Sequence, residues 1–245
     1  EIMVSVDTVY QKVLALANKE QRGYITPQDF NLFANQAQME IFEQYFYDTN
    51  IARKSQGNDT VYADVDEMLE EKIQIFDDQD DSTAIATYGT AGTNSNIKSL
   101  PDYIYRVHRV EFQGSNCEMV NTKDFRELIT ATGLLAPTNL LNMRTTIVNI
   151  RGNTIRLYAD GIYSTPSLIF YIRVPSKVNW TYVVINKQAM YDANNSTQDF
   201  ELHASEENQL VNKILRLAGV SNQQPDIMRA GAVMDQAVTQ QQPKI

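Results

Sequence analysis

Few residues in this chain could carry chemistry, and they are scattered. The 245 residues include two histidines and one cysteine. His203 precedes Glu206 by three positions, a spacing that can place two metal ligands together, but a metal site needs further ligands and none is evident. His108 lies in an alternating stretch, where a packed or surface histidine is the commoner case, and Cys117 has no convincing base partner. We therefore expect no catalytic centre, no metal site and no cofactor.

An acidic run comprising Asp77, Asp78, Asp80 and Asp81 invites a calcium assignment. It lacks the glycine at the sixth loop position and the glutamate at the twelfth, so a solvated acidic turn is the better interpretation. Neither a phosphate-binding glycine loop nor a G-x-S-x-G turn occurs in the sequence. An enzyme is the weaker hypothesis.

Composition narrows the function classes further. Asp and Glu number 30 against 21 Lys and Arg, a net charge of -9, which works against binding to nucleic-acid phosphates. The single cysteine excludes an internal disulfide. No stretch approaches the roughly 20 apolar residues of a membrane span and no secretory signal begins the chain, so we expect a protein assembled in the cytoplasm with no membrane partner.

The element that must organise the chain is a helix over residues 26–46. Thr26 can cap it and Pro27 suits its first position. Its apolar residues recur every three or four positions, which predicts one wide buried face. The opposite face carries amides, which indicate neighbours rather than free solvent: Asn31, Asn35, Gln36 and Gln38.

Three further helices are predicted from the same period. The first covers residues 5–23, with a stripe that includes Leu16, and the second runs from about residue 65 to Phe76. The third covers residues 205–218, with a cap at Ser205 and an end at Gly219. None is stable alone, so we expect them to pack as one helical body. Its predicted core is Phe30, Phe33, Ala37, Ile41, Val211, Ile214 and Leu215.

The middle third has the period of strands. In residues 103–113, Ile104, Arg106, His108 and Val110 fall on one side of a simple alternation. Gly152 marks a hairpin, and two more strands follow around Pro175. The predicted fold class is α+β, a helical body built from N- and C-terminal helices with an inserted small antiparallel β domain, whose closure as a barrel or a sandwich stays open.

This pattern predicts five segments. They are N-terminal helices at 1–76, a linker at 77–99, a β insertion at 100–198, a returning helix at 199–224 and an assembly tail at 225–245. We expect the linker and the tail to be mobile in the free subunit and fixed on assembly. Tyrosine is common, at 13 residues, and aromatic residues are enriched at interfaces, although packing of the sheet explains them as well. The candidate interface residues are Tyr88, Trp180, Tyr182, Ile227 and Ile245.

Several stretches together resemble a virion structural protein family of tailed bacteriophages, including crAss-like phages. They cover nearly the whole chain in order. They are VYQKVLALANKEQRGYITPQDFNLFANQAQMEIFEQYF, LPDYIYRVHRVEF, APTNLL, IRLYADGI, YIRVPSKVNW and FELHASEENQLVNKILRLAGV. The layout is similar to head–tail adaptor and ring proteins of short-tailed phages.

The resemblance implies a homo-oligomeric ring in the virion, typically twelve-fold. Such a ring is stacked below the portal, touches other ring or tail proteins and surrounds a channel through which DNA passes without specific binding. It implies no catalytic residues. Another virion part, in the tail tube or associated with the capsid, is the alternative, and a soluble enzyme or ligand-binding module is a third reading. The candidates for facing the channel, which a solvated helix face explains equally well, are Asp64, Asp66, Glu67, Glu70 and Glu71.

Overall fold

The computed structural model confirms an α+β protein with a small β domain. It describes residues 3–19, 25–54, 60–80, 96–112, 114–130, 147–158, 167–186, 188–221 and Val233. The chain divides into two compact units. The helical unit comprises residues 1–75 and 175–245, and the β unit comprises residues 76–174. The inserted unit therefore lies about 24 residues earlier than the predicted insertion at 100–198.

The described part of the helical unit contains four α-helices and four short strands. The helices are α1 (Val6–Lys19), α2 (Pro27–Lys54), α3 (Thr60–Gln74) and α5 (Glu207–Ser221). The strands are β1 (Met3–Val4), β10 (Tyr182–Ile185), β11 (Gln188–Tyr191) and β12 (Phe200–His203). β1 pairs with β12 and β10 pairs with β11, both antiparallel.

Helix α2 is the centre of this unit, because α5 and α3 both pack on it, while α1 packs on α5. The pairs Gln44–Gln209 and Glu40–Arg216 connect α2 to α5 and show that the two helices run antiparallel. Six of the seven predicted core residues are buried: Phe30, Ala37, Ile41, Val211, Ile214 and Leu215. Phe33 is only half-buried. The buried face continues through Gln38 and Phe42, which leaves Phe33 at its border.

Helix ends follow the predictions in part. The Thr26 hydroxyl accepts the Asp29 amide at 3.2 Å and donates to its carboxylate at 2.6 Å, so the predicted cap is present. The predicted end of this helix at residue 46 is wrong, because residues 47–54 continue α2. Thr49 supports this extra turn, because its buried hydroxyl donates to the Tyr45 carbonyl at 2.8 Å.

Helix α5 differs from its prediction at both ends. A 3₁₀ turn at Ala204–Glu206 precedes it, and the ring of His203 rather than Ser205 caps that turn by accepting the Ser205 amide at 3.2 Å. The C-terminal end passes the predicted stop at Gly219 and reaches Ser221. Gly219 is buried inside the helix, so packing outweighs its tendency to end one.

The described part of the β unit contains two four-stranded sheets and one helix. The strands are β2 (Asp77–Asp80), β3 (Asn96–Ser99), β4 (Ile104–Phe112), β5 (Ser115–Asn116), β6 (Glu118–Met119), β7 (Ile147–Arg151), β8 (Thr154–Tyr158) and β9 (Ser167–Arg173). Their orders are β2-β9-β4-β5 and β3-β8-β7-β6, and only the β6–β7 pair is parallel. Both sheets contribute to one core: Leu100, Val107, Val110, Val148, Ile155, Ile169 and Tyr171. Helix α4 (Thr122–Thr130) adds Phe125, which packs on Ile147.

Two expectations for this unit are corrected. Residues 77–80 and 96–99 were predicted as linker, but they pair with β9 and β8, because backbone hydrogen bonds form a ladder even where side chains are polar. Residues 81–95 lie outside the described chain. The simple alternation of β4 also fails. Register shifts after Ile104 and Val107 turn Val107 and Val110 toward the same core.

The predicted hairpin at Gly152 is present as the β7–β8 turn. Arg151 pairs with Thr154 across it, and Gly152 has a φ of 55°, a left-handed conformation that glycine adopts without steric cost. A substitution there would be strained although space around the position is open.

Candidate assembly surface

The amides of α2 hold an extended segment of the chain. Both groups of the Asn35 side chain bind the backbone of Val178, donating to its carbonyl at 2.9 Å and accepting from its N–H at 2.8 Å. Asn31 makes the same two hydrogen bonds to Trp180, donating to its carbonyl at 3.2 Å and accepting from its N–H at 2.8 Å. These two side chains therefore replace a neighbouring strand for residues 178–180.

Gln38 continues this arrangement one turn further along. Its Nε2 donates to the Ser176 carbonyl at 2.8 Å, and its Oε1 accepts the Glu201 amide at 3.1 Å. The spacings match, because four helical residues rise about 6 Å and two extended residues span about 6.6 Å. We call Asn31, Asn35 and Gln38 the amide clamp. The prediction that amides on this face have neighbours is confirmed for these three, whereas Gln36 is exposed and contacts Glu40.

Trp180 anchors the end of the clamped segment. Its side chain is 1% exposed, and its indole Nε1 donates to the Asp7 carboxylate at 3.0 Å. The ring of Tyr10 lies 4.0 Å away, centroid to centroid. Trp180, a candidate interface residue, is therefore buried within the subunit, which agrees with the alternative that this aromatic residue serves packing.

The same indole supports the base of the β10–β11 hairpin. Tyr182 and Tyr191 pair across the two strands and stack on Trp180 at 5.7 and 6.0 Å. Just outside them, the Thr181 hydroxyl donates to the Asp192 carbonyl at 2.6 Å. Tyr182, another predicted interface residue, is half-buried in this stack.

Beyond the base, the hairpin presents apolar side chains to solvent. We call residues 182–191 the apolar hairpin. Asn186, at its turn, has a φ of 52°. Its exposed large apolar side chains are Val183 (40%), Val184 (67%), Ile185 (49%) and Met190 (52%), together with Tyr191 (37%) at the base. Exposed apolar surface grouped in this way marks interaction sites in soluble proteins.

Charge distinguishes the apolar hairpin from the rest of its unit. No acidic residue occurs in residues 182–191, although the helical unit as a whole has 20 acidic and 12 basic residues. A second copy of the chain could approach this surface without like-charge repulsion. A two-stranded hairpin is marginal alone, so the clamp and the Trp180 stack are what hold it in place.

The His203 and Glu206 pair does not form a ligand set. The His203 ring caps the 3₁₀ turn, while Glu206 is buried and pairs with Lys72 of α3 at 2.5 Å. Tyr45 and Asp48 lie in the same region, and burial raises the pKa of each. Lys72 also lies 5.6 Å from the centroid of the Tyr45 ring. This cluster connects α2, α3 and the start of α5.

The other chemical candidates are also apart. His108 is exposed, with Nε2 3.7 Å from a carboxylate oxygen of Asp77. Cys117 is half-buried, and burial raises its pKa to about 12, which makes it a poor nucleophile. Within the described ranges, no three His, Cys, Asp or Glu residues are grouped to hold a metal ion.

The remaining predicted residues lie elsewhere. Glu67, Glu70 and Glu71 are exposed on α3. Asp64 and Asp66 belong to the same helix, but their side chains lie outside the described part of the molecule, as do Tyr88, Ile227 and Ile245. Of the predicted tail only Val233 is described; it is helical and 64% exposed.

Sequence reasoning overlooked the apolar hairpin, although a signal was present. Val183, Val184 and Ile185 are consecutive, and a strand with one buried face needs apolar residues only at alternate positions. Among the described helices, none is long and apolar enough to cross a membrane. No protein-family model matches the chain, and no curated protein matches it either.

Proposed function

We propose that this protein is a structural component of a bacteriophage virion. Copies of it form an oligomeric head–tail adaptor or neck ring that joins the portal to the tail and surrounds the DNA channel. It has no catalytic role and needs no metal or cofactor. The resemblance of nearly the whole chain to virion proteins of tailed phages supports this proposal.

The observation that carries the proposal is the apolar hairpin. Val184 and Met190 are 67% and 52% exposed, yet the base of the hairpin is stacked on a buried tryptophan. A rigid base with an apolar end suits contact with another protein, because little conformational entropy is lost on binding.

The distribution of charge also supports a channel. Residues 76–174 hold 10 acidic and 9 basic residues, so the helical unit carries -8 of the net charge of -9. An acidic surface repels the phosphates of DNA and lets a duplex pass without binding. Exposed Glu67, Glu70 and Glu71 of α3 belong to this unit.

Electron microscopy of Val184→Asp tests the proposal. We expect the parent protein to form rings with a central hole, at raised salt or with its portal, and the variant to remain monomeric, because each copy would bring an unpaired charge to the contact. Leu32→Asp is the matched control, since Leu32 is 66% exposed on α2 outside the hairpin. Rings from the parent and from Leu32→Asp, but not from Val184→Asp, would support the proposal. A parent that forms no closed oligomer under any of these conditions would refute it.

A further inference from the structure

A shallow groove lies between α1 and α5 of the helical unit. Its volume is about 450 Å³. It is lined by Lys12, Ala15 and Leu16 of α1 and by Asn208, Val211 and Asn212 of α5. Leu16 belongs to the apolar stripe that predicted α1, yet it is 37% exposed here. Helix packing within the unit thus leaves part of an apolar stripe uncovered.

The groove is also nearly neutral. Lys12 and Glu207 pair at its edge, with Nζ and Oε1 2.5 Å apart, and Asn208 and Asn212 contribute uncharged amides. In a unit with a net charge of -8, a concave apolar surface without an unpaired carboxylate is suited to an apolar surface that has no acidic residue, such as the apolar hairpin, whose one charged residue is Lys187.

We infer that the apolar hairpin of one copy docks in the α1–α5 groove of the next copy. This inference rests on the proposed ring and names its contact. A ring of identical subunits needs two different surfaces that fit each other, since a heterologous contact repeats around an axis. The hairpin supplies the convex surface, with Val184 and Ile185 exposed by 67% and 49%, and the groove supplies the concave one.

The polar parts of the two surfaces also suit each other. The turn of the hairpin carries Asn186 and Gln188, both exposed, and each can exchange hydrogen bonds with Asn208 beside the groove. β10 and β11 pair only with each other among the described strands, so each keeps an outer edge of backbone groups available to such amides. Burial of Val184, Ile185 and Leu16 in the contact supplies the hydrophobic part of the binding free energy.

Cysteine cross-linking between different copies tests this contact. One protein carries Val184→Cys and a second carries Leu16→Cys, both in a Cys117→Ser background, and the two are mixed under mild oxidation at about 1 M salt, where the screening length is about 3 Å. The expected result is a disulfide-linked dimer of the two different chains as the main product, because a disulfide needs Cα atoms within about 7 Å. All three changes are at exposed or half-buried positions, and thermal unfolding confirms that each protein is folded.

Leu32→Cys mixed with Val184→Cys is the control pair, which should remain mainly monomeric although Leu32 is more exposed than Leu16. Equal dimer yield from the two pairs would overturn the inference, since it would reflect collision alone. Rings seen by electron microscopy without a 184–16 cross-link would overturn it too, while leaving the proposed function intact. Absence of any closed oligomer would refute both this inference and the proposed function.

Discussion

At the scale of single residues, the amide clamp accounts for the position of the hairpin. An asparagine side chain has donors and an acceptor, so it can satisfy both the N–H and the carbonyl of one residue, as Asn35 does for Val178. A carboxylate or an alkyl side chain of similar size lacks one or both of these groups. The identity of residue 35, and not only its polarity, therefore matters for the fold.

Asn35→Ala should lower the stability of the protein. The change leaves the N–H and the carbonyl of Val178 without this partner, and an unsatisfied buried group costs about 1–3 kcal/mol. Chemical denaturation measures the free energy of unfolding. Gln36→Ala is the control, because Gln36 is exposed and makes only a local contact with Glu40. Equal stability of the two variants would contradict the clamp.

Asp48→Asn should stabilise the protein at neutral pH. Burial raises the pKa of Asp48 above 3.8, and Glu206 adds to the rise while Gln44 and Lys72 oppose it. The ionised carboxyl is thus less favourable in the folded state than in the unfolded one. The folded protein is therefore most stable where Asp48 is protonated, and it loses this stability as pH rises through the folded-state pKa of Asp48. Asparagine is neutral at every pH and avoids this loss.

The melting temperature across a pH series checks this prediction. The gain of Asp48→Asn over the parent should be largest near neutral pH and should shrink as pH falls through the folded-state pKa, and it should be smallest below 3.8, where the parent carboxyl becomes protonated in both states. Asp102→Asn, at an exposed position of the β unit, serves as control. A gain that stays constant with pH would show that charge is not its cause.

At the scale of elements, the contact between α2 and α5 holds together the two ends of the chain. Ile41 is 1% exposed in α2, and Ile214 is fully buried in α5. Because residues 76–174 interrupt this unit, these helices can pair only after the chain has closed a long loop. Packing between α2 and α5 is therefore the step on which the helical unit depends.

Ile41→Asp should destabilise the protein by several kcal/mol, because it buries an unpaired charge. We expect loss of soluble folded protein or a greatly lowered melting temperature, measured by circular dichroism. Leu32→Asp makes the same type of change on the exposed face of the same helix and should be tolerated. If Ile41→Asp melted at the temperature of the parent, the assignment of this helix face would be wrong.

At the scale of the whole molecule, charge opposes assembly. Each subunit carries -9, and a ring would gather this charge around one axis. The repulsion extends over about 10 Å at 0.1 M salt and must be offset by apolar contacts such as those of the hairpin. Salt or a neighbouring virion protein reduces it.

The purified subunit should therefore be mainly monomeric at low salt and should form rings at higher salt or with its neighbours. Sedimentation across a salt series measures this shift, and a neutral osmolyte at matched density controls for solvent effects. Stable rings at low salt without a partner would contradict the prediction. Tight binding of duplex DNA to the free subunit would contradict the passive channel.

Much of the helical unit was predictable from local pattern. The period of three and four residues located the buried face of α2. Amides on its other face, at positions where a solvent-exposed helix usually carries charged residues, indicated bound neighbours. A glycine between two alternating stretches located the β7–β8 turn. These features could be predicted because each depends on residues a few positions apart, whose geometry the backbone sets directly.

Tertiary structure decided the features that depend on distant partners. Residues 77–80 are polar and became a strand because β9 offered its edge about 90 positions later. Trp180 became core rather than surface because Asp7 and Tyr10, near the start of the chain, enclose it. The hairpin and the groove are exposed for the same reason, since exposure is what remains after every other element has found its partner. The consecutive Val183, Val184 and Ile185 signal a strand that is apolar on both faces, but a local pattern does not record whether another element covers those faces.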